Sequence, residues 1–223
     1  MAQETAGTPQ KTRIESLSDL IFGLALSIGA LTLIGQSPSD FQTLLLSIAF
    51  YAFSFIILIS VWYSYTRTMA FLHAETDRFV SFNILLLFLV SIEPFLFNQL
   101  INSSMSLVGN TSIIYAFDLG GLFAIQAFFV NSILSDKNKP EQVIHALRLR
   151  RNTQLICTTL FFISVLPIFW TWTVPINSNF GIPLRFILWI FTLFMPAFRR
   201  LGRLLEKVEN KQPINNRREL VIT

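Results

Sequence analysis

Leu17–Ile34, LSDLIFGLALSIGALTLI, is an apolar run interrupted by one acid and containing no lysine or arginine. About 18 helical residues approach the length needed to cross ~30 Å of hydrocarbon. Before it lies Thr12-Arg13-Ile14-Glu15, whose spacing fits a capping box: the Thr12 hydroxyl accepts from the Glu15 amide while the Glu15 side chain reaches back. The helix is therefore expected to start outside the hydrocarbon.

Working outward, five further apolar segments follow, at about 44–65, 79–97, 108–134, 155–174 and 182–198. The composition agrees: 52% of the chain is hydrophobic, 23 residues are phenylalanine, and only 13% are charged. A soluble domain carries about 25% charged residues. So much apolar surface is better matched to a bilayer than to water.

The basic residues decide the orientation. Lys11 and Arg13 precede the first segment. Arg67 and Arg78 fall between the second and third. Lys137, Lys139, Arg148, Arg150 and Arg151 fall between the fourth and fifth, and Arg199, Arg200, Arg203, Lys207, Lys211, Arg217 and Arg218 follow the sixth. The alternate connections, about 35–43, 98–107 and 175–181, have none, and Arg185 alone departs from the pattern. Cytoplasmic loops collect lysine and arginine. The reading is an all-α, integral membrane bundle of six transmembrane helices with both termini cytoplasmic. It divides into an arm over 1–12, a channel-sized domain over 13–201 and a basic tail over 202–223. The start of the tail, RRLGRLLEKVENK, reads as a helix along the inner membrane surface, its charge mainly a topology signal. No removable signal peptide is expected, because the first 15 residues are polar.

Several constellations are weak as chemistry. Cys157 is the only cysteine, so no intrachain disulfide or cysteine metal site is possible, and it reads as a small packed residue. His73 and His145 fall in cytoplasmic stretches without companions at ligand spacing. No nucleophile–base pair, phosphate loop or dinucleotide fingerprint occurs. The expectation is no enzyme, no cofactor, no metal and no nucleic acid partner. Trp170, Trp172 and Tyr115 are placed as aromatic anchors at the outer side, Trp62 and Tyr65 at the inner side. Glu93 and Asp118 are acids inside apolar segments, and such acids often mark proton or ion routes. From depth alone, Asp118 is expected to pair with Arg185.

Around the first helix, Arg13, Leu17, Leu20, Leu24, Ile28 and Leu31 share one stripe with Ser27 at its edge; Gly23, Ser27 and Ala30 form an adjoining strip of small residues. Small residues allow close helix approach in membranes. Asp19 points about a third of a turn away from Arg13, so each needs partners elsewhere.

Arg13-Ile-Glu-Ser-Leu-Ser-Asp19 and the run after it resemble the Arg-x-x-x-Phe-Ser-Asp signature that opens the first helix of the lysosomal potassium channel family, transmembrane protein 175. Asn83 and Pro94-Phe95 are weakly similar to family features. Leu17 replaces the aromatic of the signature, Ser27 the usual threonine, and Tyr65 a histidine late in the second helix. The resemblance implies a prokaryotic single-repeat member in the cell membrane and a homotetramer whose pore is lined by four first helices. It implies an apolar constriction at Leu24, further rings at Ile28 and Leu31, and a hydroxyl ring at Ser27. Arg13, Ser18 and Asp19 become a structural network at the inner mouth. The expected partners are potassium ions, with sodium weaker, and the lipid bilayer. A proton- or ion-coupled secondary transporter is the alternative.

Overall fold

The computed structural model describes residues 9–34, 40–71, 77–102, 105–135, 140–177 and 180–194. The basic tail, the first eight residues, His73, Lys137 and Lys139 lie outside the described residues, as does the Thr12 side chain of the capping box.

Among the described residues five long helices follow one another: α1 (Pro9–Ile34), α2 (Phe41–Met69), α3 (Asp77–Asn102), α4 (Met105–Leu134) and α5 (Glu141–Ser164). A single turn, α6 (Ile168–Thr171), leads into a hairpin of β1 (Thr173–Asn177) and β2 (Phe180–Pro183), and α7 (Leu184–Phe194) ends the described chain. Four helices contain stretches long and apolar enough to cross a membrane: Arg13–Leu31, Ser47–Met69, Arg78–Asn102 and Leu107–Leu134.

Helix α4 is the axis of the packing. Of its apolar stretch 67% is buried, against 22% for α1. It lies against α5 on one side and α3 on the other, while α1 leans on α2 and α3. Close approach to α5 depends on Gly120, where a Cβ would stand 2.7 Å from the Phe162 ring; at Gly121 it would stand 3.0 Å from Leu89 on α3. Aromatic side chains fill the rest. Phe123 stacks on Phe161 at 5.8 Å, Tyr115 meets Trp189 at 5.3 Å and Phe79 meets Phe129 at 4.6 Å. Cys157 is buried, as expected of a packed residue.

The last third of the chain differs from the sequence expectation. The fifth segment was expected over 155–174, but α5 runs from Glu141 to Ser164. Its first half therefore contains His145, Arg148, Arg150 and Arg151, which the hydropathy pattern assigns to a loop. The reason is polar pairing inside the bundle. Arg150 donates to the backbone carbonyl of Ser64 and, at 2.9 Å, to its hydroxyl. Gln154 donates to Ser64 Oγ at 3.0 Å and to Gln126 Oε1 at 2.8 Å. Gln126 in turn donates to the Val61 carbonyl at 2.9 Å. Partners supplied by α2 and α4 let polar residues stay helical where a water-accessible loop was expected.

Helix α5 ends because Pro167 has no amide to continue the ladder. Arg185 then holds the end. Its Nε donates to the Ser164 carbonyl at 2.7 Å, and one terminal nitrogen donates to the Val165 carbonyl at 3.1 Å. The other reaches the Gly109 carbonyl at 3.4 Å and the Ser112 hydroxyl. The guanidinium also sits 5.5 Å from the Trp170 ring centroid. The expected pairing of Arg185 with Asp118 does not occur. A helix end leaves carbonyls without partners, and these carbonyls, with the Ser112 hydroxyl, take the guanidinium instead. The outer connection at 175–181 belongs to the antiparallel hairpin, with Thr173 opposite Pro183 and a bulge between Pro175 and Asn177. The sixth segment, expected from Ile182, begins as a helix only at Leu184.

Candidate functional site

Three groups of residues carry chemistry, and α1 contributes to two. Its inward side is Ser18, Phe22, Ala25 and Gly29, spaced by four and three and buried against α2 and α3. The opposite side is largely exposed: Leu24 is 57% exposed, Ile28 38% and Leu31 61%, with Leu17 and Leu20 continuing the stripe. Ser27 lies on the same exposed side. Its hydroxyl donates to the Gly23 carbonyl at 2.8 Å, so its remaining lone pairs face outward. A Cβ at Gly23 would have nothing within 4 Å. Leu24 and Ile28 also border an apolar groove of about 310 Å³ between α1 and α3, whose far wall includes Ile84, Leu87 and Phe88.

The second group lies at the N-terminal end of α1. Ser18 donates to the Ile14 carbonyl at 2.8 Å, which leaves the Tyr65 hydroxyl to donate to Ser18 Oγ at 2.7 Å. Tyr65 also lies near the buried Asn83 on α3. The Ser18–Tyr65 hydrogen bond ties α1 to α2. Asp19 accepts from Trp62 Nε1 at 2.9 Å. Arg13 is exposed, and among the described residues no ion pair joins it to Asp19. Ser18 and Asp19 each bond α2, by separate hydrogen bonds to Tyr65 and Trp62. Tyr65, expected at an interface, is instead buried and stands as the hydrogen-bonding partner of Ser18. Trp62 is half-buried, and its indole N–H donates to the exposed Asp19.

The third group is a buried acid cluster. Glu93 is fully buried on α3, immediately before Pro94. Ser54 on α2 donates to its carboxylate, with 3.0 Å to each oxygen, and Tyr115 on α4 donates to Oε1 at 2.9 Å. Asp118, one turn beyond Tyr115, is 4% exposed, and neither of its carboxylate oxygens has a hydrogen-bond partner among the described residues. Tyr115 was expected as an outer anchor but lies in the core, because its hydroxyl has a carboxylate to satisfy. Ser54 gave no signal in the sequence: a lone serine in an apolar run has no periodicity to mark it.

Long apolar helices around a buried centre, with one helix largely exposed, define a multi-pass membrane protein. The architecture is similar to the crystal structure of a lysosomal potassium-selective channel TMEM175 homolog from Chamaesiphon minutus. The two share 18% sequence identity over 87% of this chain and 97% of that one, with a TM-score of 0.57. Residues 13–94, which hold α1, α2 and most of α3, match the family described as endosomal/lysosomal potassium channel TMEM175. Among curated proteins none matches. The matched region includes the exposed stripe and Ser18, Tyr65 and Asn83, whereas Asp118, Tyr115 and Arg185 lie beyond it.

Proposed function

We propose that this protein is a potassium-permeable cation channel of four identical subunits, with six membrane crossings each and both termini cytoplasmic. Crossings five and six are α5 and the helix that begins at Leu184. The pore is lined by the exposed side of α1. The observation that carries this reading is that Leu24, Ile28 and Leu31 are exposed on one side of α1, within the region matching a potassium channel family. The match of residues 13–94 to a channel family also supports a non-enzymatic role, and a plasma-membrane location in a prokaryotic cell accompanies the single-repeat reading.

Leu24 to Leu31 spans seven residues, about 10 Å of helix. Four such stripes around an axis form a narrow apolar neck. A cation crosses it only with water around it, because a bare charge in an apolar medium is prohibitively costly. The closed state is a dry neck, and a small rotation or tilt of α1 widens it until it wets. The outward lone pairs of Ser27 then supply partial hydration. One hydroxyl ring is less exacting than a cage of carbonyls, so the preference for potassium over sodium is modest. Ser18, Asp19 and their partners on α2 hold α1 in register at the inner mouth, with Arg13 beside them.

Flux in proteoliposomes tests the gate. Leu24→Asn and Leu24→Ala should raise resting potassium flux, the first more strongly because an amide keeps water in the neck. Flux equal to wild type in both would remove Leu24 from the gate. A proton- or ion-coupled transporter is the second reading, and the observation favouring it is the buried Asp118. Unitary currents with a linear current–voltage relation support the channel; flux that saturates and requires a proton gradient supports the transporter.

A further inference from the structure

We infer that Glu93 and Asp118 form a proton-binding site inside each subunit, away from the α1 stripe, in which one bound proton keeps the two carboxyl groups from both being charged. The geometry carries the argument. Both acids are more than nine-tenths buried at the junction of α3 and α4. Glu93 accepts hydrogen bonds from Ser54 and Tyr115, the arrangement suited to an ionised carboxylate. Asp118 lacks such support, since among the described residues neither oxygen has a donor. It stands one helical turn beyond Tyr115, whose hydroxyl bonds Glu93. Two like charges buried together cannot both remain ionised without large cost. The titratable or charged groups near them are Tyr115, which already donates to Glu93, and Arg185 on α7, which is bound to Ser112 and three carbonyls. Neither supplies Asp118 with a counter-charge. A proton on Asp118 removes one of the two buried negative charges.

The site is next to the pore helix. Pro94 follows Glu93 directly, and a Cβ at Gly29 of α1 would stand 4.0 Å from the Pro94 ring and 3.5 Å from Tyr51. Loss of the proton would push α3 and α4 apart at the place where α3 supports α1. That link to gating rests on the channel reading; proton binding itself does not.

Thermal unfolding of the purified full-length protein, in detergent and without any flux measurement, tests the site. A proton held by the native state but not by the unfolded chain makes stability fall as pH rises. As pH rises through the range in which the site loses its proton, the wild-type melting temperature should fall by about 3 °C per pH unit more than that of Asp118→Asn. Asparagine imitates the protonated acid, so Asp118→Asn should fold and lose this part of the slope. Glu93→Gln should be much less stable, because its amide nitrogen would face the Ser54 or Tyr115 donor. Identical slopes in wild type and Asp118→Asn would overturn the proposal. So would a wild-type melting temperature that rises when potassium or sodium replaces a bulky organic cation and does so only with Asp118 present, since the site would then hold a metal cation. If Asp118→Asn does not fold, infrared spectroscopy of the wild type decides: a protonated-carboxyl band at neutral pH that disappears on alkalinisation supports the site, and its absence overturns it.

Discussion

At the scale of single residues, the two long-range polar clasps make distinct predictions. Tyr65→Phe removes the donor to Ser18 and the contact with Asn83 while keeping the ring packed against Phe22 at 5.9 Å. Interhelical hydrogen bonds in membranes average about 0.6 kcal/mol, and an unsatisfied buried group adds to that, so a loss of about 1 kcal/mol is expected. Urea or thermal unfolding in detergent would read it; an unchanged transition would mean that water replaces the hydroxyl. Arg185→Met should cost more, about 3 kcal/mol, because it leaves three carbonyls and the Ser112 hydroxyl without their shared donor. Arg185→Lys should recover only part of that, since one ammonium cannot reproduce the fork of guanidinium donors. Full recovery with lysine would show that charge alone, and not the fork, holds the end of α5.

At the scale of elements, close contact between α4 and α5 sets a steric limit. Gly120→Ala places a methyl 2.7 Å from the Phe162 ring, so either the ring or a helix must shift. Overpacking of this kind costs about 1–3 kcal/mol. Gly23→Ala is the control: it meets nothing within 4 Å of its own subunit, and the isolated subunit should be unaffected. If Gly23→Ala instead weakens the assembled particle, α1 packs closely against another subunit at that position. The pairing of Gln126, Gln154 and Arg150 with α2 explains why α5 starts at Glu141. Gln154→Leu would remove donors for both Ser64 and Gln126, and hydrogen exchange should then show the first half of α5 opening more readily than the second.

At the scale of the whole molecule, the proposed surface facing the stripe on α1 is the same stripe on three further copies. Native mass spectrometry should give a particle of four 25.5 kDa chains. A stable monomer or dimer that conducts potassium would remove the four-fold neck. Cysteines introduced at residues 3 and 220 should react with impermeant reagents only from the cytoplasmic side; labelling of one terminus from outside would require an odd number of crossings.

The amino-acid pattern by itself determined the membrane class and the first four spans, because hydrocarbon length and the placement of lysine and arginine act on local stretches of chain. It also placed Leu24, Ile28 and Leu31 on one side of α1, since a period of 3.6 residues brings them together without reference to any neighbour. The tertiary structure alone decided where α5 begins and ends, that Arg185 binds carbonyls and not Asp118, and that Tyr115 and Tyr65 are buried hydrogen-bonding groups. These depend on Ser54, Ser64, Ser112 and Gln126, small polar residues that are far away in sequence. A polar group in an apolar run has the same local signature whether it faces lipid, water or a partner, and only packing supplies the partner.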